Sequence, residues 1–245
     1  MFSTATSTAA SAVALATPVA TASPSPSPTP IPADSGWETL RPGLERRVLN
    51  VVDEEEGRWL ENVTVLRLDS DAFRFGVAYR PGAPQDLEAW QAQTGALLLV
   101  NGGFYTEEYV ATGLIISEGE VSGASYQGFG GMFAVAGAGP AVRSLREAPY
   151  DPAEPLRHAL QSFPLLLAPG GRVAFPREDG AQARRTVVAQ DVDGRLLFLV
   201  ASRGHFTLHQ LSRYLAASDL GLDVALNLDG GPSSGFLLAS ATADE

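Results

Sequence analysis

The sequence predicts an α+β fold: a single domain with a mixed, mostly antiparallel β-sheet and a few helices. Three observations carry that expectation. Short runs rich in β-branched and aromatic residues recur along the chain. Only one helix, starting near Leu208, is well specified by its pattern. Strands and helices do not alternate regularly, as they would in a doubly wound fold or a barrel.

Taken in order, residues 1–36 read as a Ser/Thr/Pro-rich tail and linker, and 37–245 as the domain. The start resembles the remnant of a secretory signal, with Ala14-Leu15-Ala16 or Ala20-Thr21-Ala22 as small-residue cleavage sites; the positive leading segment of such signals is missing. Residues 23–32 alternate Pro, which favours an extended polyproline spacer. The expected location is extracytoplasmic, secreted or held at a bacterial envelope, with a plain disordered tail as the alternative. Strands are expected at 46–52, 63–68 and 73–79, then a short helix over 86–93 stopped by Gly95. The all-apolar run 96–100 reads as a strand buried in the middle of a sheet. Further strands are expected at 110–116, 131–135, 163–167, 186–189 and 196–200, the last two joined by a tight Asp193-Gly194 hairpin. Thr207 and Gln210 form a capping box for a helix over 208–220, with Leu208, Leu211, Tyr214 and Leu215 on one face and Gly221 at its end. A buried strand follows at 224–228.

Composition excludes several functions. The 17 cations are all Arg, against 28 carboxylates, for a net charge of −11. That balance disfavours non-specific nucleic-acid binding and anionic membrane surfaces. No Cys is present, which removes disulfides, thiolate zinc sites and cysteine nucleophiles. The absence of Lys removes a Schiff base and a P-loop. No apolar stretch is long enough for a spanning helix.

Two segments share a pattern: an apolar strand ending in Asn or Asp, then paired Gly. The first holds Asn101, Gly102 and Gly103; the second holds Asn227, Asp229, Gly230, Gly231, Ser233 and Ser234. Paired Gly lets backbone approach a ligand closely, and successive N–H groups can cradle an anion. Ordinary turns would have the same residues. Arg184-Arg185-Thr186 opens a strand, and an Arg fork suits phosphate oxygens. If the two Gly-rich ends are tips of adjacent central strands, they share one sheet edge, and an antiparallel strand brings Arg185 there.

The order NGGFY, then Gly113-Leu114-Ile115-Ile116, QSFPLLL, RRT, and a helix leading into NLDGG-x-SS resembles the phosphodiester glycosidase family over roughly residues 45–240. The resemblance implies a hydrolase cleaving a sugar-1-phosphodiester, in bacteria on envelope or exopolysaccharide material. It assigns catalysis to Asp229, Arg185 and Asn101. Substrate contacts fall to Gly102, Gly103, Thr186, Asn227, Gly230, Gly231, Ser233 and Ser234, with Glu107 and His205 as additional candidates. Phe163 and Pro232 stand where the family usually has Gly. A cofactor is not required, and a divalent metal is compatible. A sugar-phosphate partner is expected, without nucleic acid. A non-catalytic carbohydrate- or phosphate-binding module and a metal-dependent phosphodiesterase remain as alternatives. The sugar, its aglycone, the stereochemical course and the oligomeric state are open.

Overall fold

The computed structural model describes residues 32–53 and 55–239. The expected cleavage sites and nearly all of the polyproline spacer lie outside the described residues. In chain order the strands are β1 (Glu38–Arg41), β2 (Leu44–Asp53), β3 (Arg58–Leu68), β4 (Leu98–Val100), β5 (Ile115–Ser117), β6 (Glu120–Ser122), β7 (Gly131–Ala136) and β8 (Gly139–Ser144). They continue with β9 (His158–Ser162), β10 (Leu165–Ala168), β11 (Arg172–Val173), β12 (Arg185–Asp191), β13 (Leu196–Ala201), β14 (Leu222–Asn227) and β15 (Phe236–Leu238). The helices are α1 (Leu87–Thr94) and α2 (Leu208–Ala217). Regular structure among the described residues is thus mostly strand, and an α+β description overstates the helices.

Eight strands form the main sheet in the order β1-β2-β3-β13-β12-β14-β10-β11, and five form a smaller sheet, β6-β5-β9-β7-β8. Every pairing is antiparallel. The period of two along each strand builds two cores. Val187, Ala189, Leu197 and Leu199 face α2 and pack on Leu211 and Leu215. Their alternates Val188, Leu196, Val224 and Leu226 face the smaller sheet and meet Ile115, Phe133 and Leu160. Ahead of β1, the segment from Pro32 is tied to β2. Asp34 pairs with Arg47, and the Asn50 side chain donates to the Pro32 carbonyl at 2.8 Å.

Local signals place most elements. Asp86 caps α1 by accepting from Ala89 N at 2.7 Å, and Gly95 ends it with φ +63°. The Thr207–Gln210 capping box opens α2. Three expectations fail. The run 96–100 is not a central strand: only Leu98–Val100 is regular, half-buried, and paired with β15 in a separate two-stranded ribbon. The run 73–79 alternates like a strand but finds no partner, and it crosses the smaller sheet as coil. Helix α2 stops at Ala217, because Ser218 turns extended and its hydroxyl donates to the Leu215 carbonyl at 2.7 Å. Gly221, at φ +66°, instead turns the chain into β14.

Candidate functional site

The site forms where β14 ends and β12 begins. These strands are antiparallel, with Val187 opposite Asn227. Two further bonds carry the ladder past β14: Leu228 N donates to Thr186 O at 2.8 Å and Gly231 N to Arg184 O at 2.9 Å. The register therefore leaves Arg185 opposite Asp229, cross-strand neighbours on the α2 side of the sheet.

The first Gly-rich end reaches the same place from the ribbon. Asn101 Nδ2 donates to the Asp229 carbonyl at 2.8 Å. Asn101 Oδ1 accepts from Thr186 Oγ1 at 2.8 Å and from Gly235 N at 3.1 Å. Asp229 N donates to Gly102 O at 3.0 Å. The two ends meet as expected, but not as adjacent strands of one sheet: the Asn101 amide bridges from ribbon to main sheet. Close approach makes glycine necessary at two points. A Cβ on Gly103 would lie 2.9 Å from Gln161 O, and one on Gly230 2.9 Å from Arg184 O.

Arg185 is only 8% exposed, and its guanidinium has no carboxylate within ion-pair distance among the described residues. Its Nε donates to Phe206 O at 3.3 Å, and Nη2 donates to Ala181 O. Burial pushes its pKa down, partly offset by the charge of Asp179. A charged group held in a dry setting without a counter-charge is costly, and an anionic ligand relieves that cost. Asp229 is half-buried, and its Oδ1 accepts from its own Gly230 N at 2.8 Å.

The N–H groups divide unevenly. In the second motif Gly230 N, Gly231 N, Ser233 N, Ser234 N and Gly235 N all have acceptors within the protein. In the first motif the N–H groups of Gly102 and Gly103 have no acceptor among the described residues, so any anion cradle belongs there. The expectation of a nest at Gly230 and Gly231 is not met.

Other candidates fall in different places. The Asn227 amide is buried and donates to Phe163 O at 3.1 Å, leaving its Oδ1 without a partner. Ser234 Oγ is likewise buried and unpartnered, while Ser233 Oγ lies 3.4 Å from the Tyr105 hydroxyl. Glu107 is exposed on the hairpin turn between Tyr105 and Ala111, with no contact to Asp229 or Arg185. His205 precedes Phe206, whose carbonyl holds Arg185, and its own N–H donates to Glu61 at 2.8 Å.

Several contributors were not visible in the sequence. Glu61 is fully buried in β3 and accepts from the N–H groups of Asn62, Arg203 and His205, fixing the loop that carries Phe206. Phe163 brings an aromatic rim: its ring lies 4.6 Å from Phe104, 5.5 Å from Tyr126 and 5.9 Å from Phe129. An acid buried mid-strand was the one available signal for Glu61. For the rim the signal was Phe163, which stands where the family usually has Gly; that Phe104, Tyr126 and Phe129 gather around it was not legible. No cluster of three or more His, Asp or Glu side chains suited to a metal ion occurs among the described residues.

A sequence model of the phosphodiester glycosidase family matches residues 94–244, which include Asn101, Arg185 and Asp229 but not Glu61. Among solved structures, the chain resembles the catalytic domain of zebrafish N-acetylglucosamine-1-phosphodiester alpha-N-acetylglucosaminidase, auto-inhibited by its pro-peptide. The TM-score is 0.62 at 21% identity, over 84% of this chain and 78% of that one. It also resembles a hypothetical protein from Synechocystis, with a TM-score of 0.54 at 15% identity, over 82% of this chain and 59% of that one. These likenesses establish a shared fold. No curated protein matches the chain.

Proposed function

The chain belongs to the phosphodiester glycosidase family, and from that premise we propose that it hydrolyses a sugar-1-phosphodiester in envelope or exopolysaccharide material, outside the cytoplasm. The observation that carries this reading is the buried Arg185, without an ion-pair carboxylate among the described residues, directly across the ladder from Asp229. One group suits phosphate and the other suits the anomeric carbon.

In this reading Arg185 binds a phosphate oxygen, assisted by the N–H groups of Gly102 and Gly103. Asp229 acts at the anomeric carbon, as nucleophile or as base toward water. The bond from that carbon to the phosphate oxygen breaks, and its electrons leave with a phosphate monoester. The hydroxyl of water ends on the sugar and its proton on the phosphate. Phosphate monoester is a good leaving group, so strong acid catalysis is unnecessary, in keeping with the distance of Glu107 from the pair. Asn101 and Thr186 spend their hydrogen bonds inside the protein, so they act as positioning residues. The Ser/Thr/Pro-rich tail supports the extracytoplasmic location.

Hydrolysis in water enriched in heavy oxygen, with and without chelator, tests the reaction. Label in the released sugar is the expected result. Label in the phosphate would instead identify a phosphodiesterase, and binding without release a carbohydrate-binding module.

A further inference from the structure

On the face of the main sheet away from α2, the core shared with the smaller sheet gives way to an open cleft. This cavity, of about 1110 Å³, lies between that face, the smaller sheet and the segment that carries α1 and β4. Val77 and Trp90 line it from the covering segment, Phe133 and Leu160 from the smaller sheet, and Val188 and Phe198 from the main sheet. This volume exceeds the usual ligand pocket of roughly 300–1,000 Å³.

The cavity reaches part of the site, while Arg185 and Asp229 project to the other face of the sheet and do not line it. Asn101, Gly102, Gly103 and Ser233 form part of its wall, and so does Leu68, toward the opposite edge of the sheet. Thr186, bonded to Asn101, lies at one end of β12, and Gln190 lies in register with Leu196 and through it with Leu68. Four residues of strand separate Thr186 from Gln190, so the cavity follows the sheet for roughly 13 Å.

We propose that this cavity holds the apolar arm of the substrate, a sugar-1-phosphodiester whose second ester is a long alkyl or prenyl chain. The inference rests on the proposed hydrolysis and names its substrate class. Such a molecule joins a polar sugar to an apolar chain through one phosphate. The protein likewise joins the charged edge at Arg185 and Asp229 to a mostly apolar chamber, whose wall also carries Arg80, Glu118, Arg157 and His158, through the free N–H groups of Gly102 and Gly103. Water adds to the sugar carbon, and the products are free sugar and alkyl phosphate.

The test uses the full chain and the methyl, octyl and dodecyl esters of one sugar 1-phosphate. Each methylene buried is expected to raise kcat/KM about fourfold, giving at least a hundredfold gain from methyl to dodecyl. Val77→Trp, which fills the cavity from a coil segment, is expected to cut the dodecyl-to-methyl ratio at least tenfold. Equal rates for methyl and dodecyl esters overturn the inference and leave the hydrolase reading intact. Calorimetry with dodecyl phosphate gives a readout independent of turnover. One-to-one binding, weakened by Val77→Trp, supports the cavity assignment even if no ester is cleaved, an outcome that overturns only the reaction. No binding of dodecyl phosphate overturns the assignment.

Discussion

The two faces of the main sheet are built differently. On one face α2 buries Leu211, Ser212 and Leu215 against Val187, Ala189 and Leu199, and Ser212 Oγ donates to Leu166 O at 2.6 Å. On the other, α1 buries no residue fully and lines the cavity together with β4. Arg185 and Asp229 project to the packed side, while Thr186 and Asn101 lie toward the open one. The contrast separates two tasks. A rigid face holds charges in register, and a loosely filled face leaves room for a ligand.

That division sets the order of expected effects. Asp229→Asn should abolish hydrolysis, with a rate loss on the order of a thousandfold, about 4 kcal/mol of barrier. Its thermal midpoint should stay near that of the parent, and a variant that keeps its rate would move the chemistry off the packed face. Leu211→Ala should cost about 3 kcal/mol of stability, the range for a fully buried Leu. Leu87→Ala, on the half-buried α1, should cost about 1 kcal/mol or less. Urea denaturation of both variants measures the contrast, and equal costs would erase it.

Arg185→Lys keeps the charge but loses the fork. A rate loss of about tenfold or more is expected, about 1.4 kcal/mol. A lower thermal midpoint should accompany it, because Nε and Nη2 also hold the Phe206 and Ala181 carbonyls. A variant as active as the parent would remove Arg185 from the site.

The smallest effect concerns the rim of the smaller sheet. Arg143 on β8 donates to Glu154 at 2.7 Å and holds that carboxyl below its ordinary value of 4.5. The stability it contributes is complete above that value and is lost as pH falls through the lower folded value. Glu154→Gln should therefore flatten the acid-side fall of the urea midpoint, compared at about pH 6 and about pH 3.5. An unchanged slope would show that the pair contributes nothing.

Much of the local structure was legible in the sequence. Asp86 and Gly95 bound α1, and Thr207 and Gln210 open α2, because caps act through bonds a few residues long. Asp193-Gly194 marks the β12–β13 hairpin, with Gly194 at φ +84°. The two paired-Gly segments and the Arg-Thr pair that the fold brings together were legible as motifs too.

The sequence by itself determined the residue chemistry, the caps, the tight turns and the antiparallel course of most strands. Tertiary structure alone decided which segments found partners. The run 96–100 is as apolar as a central strand, yet it pairs only with β15 and lies over a cavity. The alternating run 73–79 has strand chemistry but no strand partner, its bonds being to the Ser117 hydroxyl and the Ala111 N–H. Arg185, expected as a phosphate fork at the sheet edge, has its guanidinium buried against the Phe206 and Ala181 carbonyls. Asn101, expected among the catalytic groups, proves to be the link between ribbon and sheet. The physical reason is common to all four. A local pattern records what a side chain can bury or bond, whereas the partner comes from residues tens to more than a hundred positions away, whose arrangement no local period encodes.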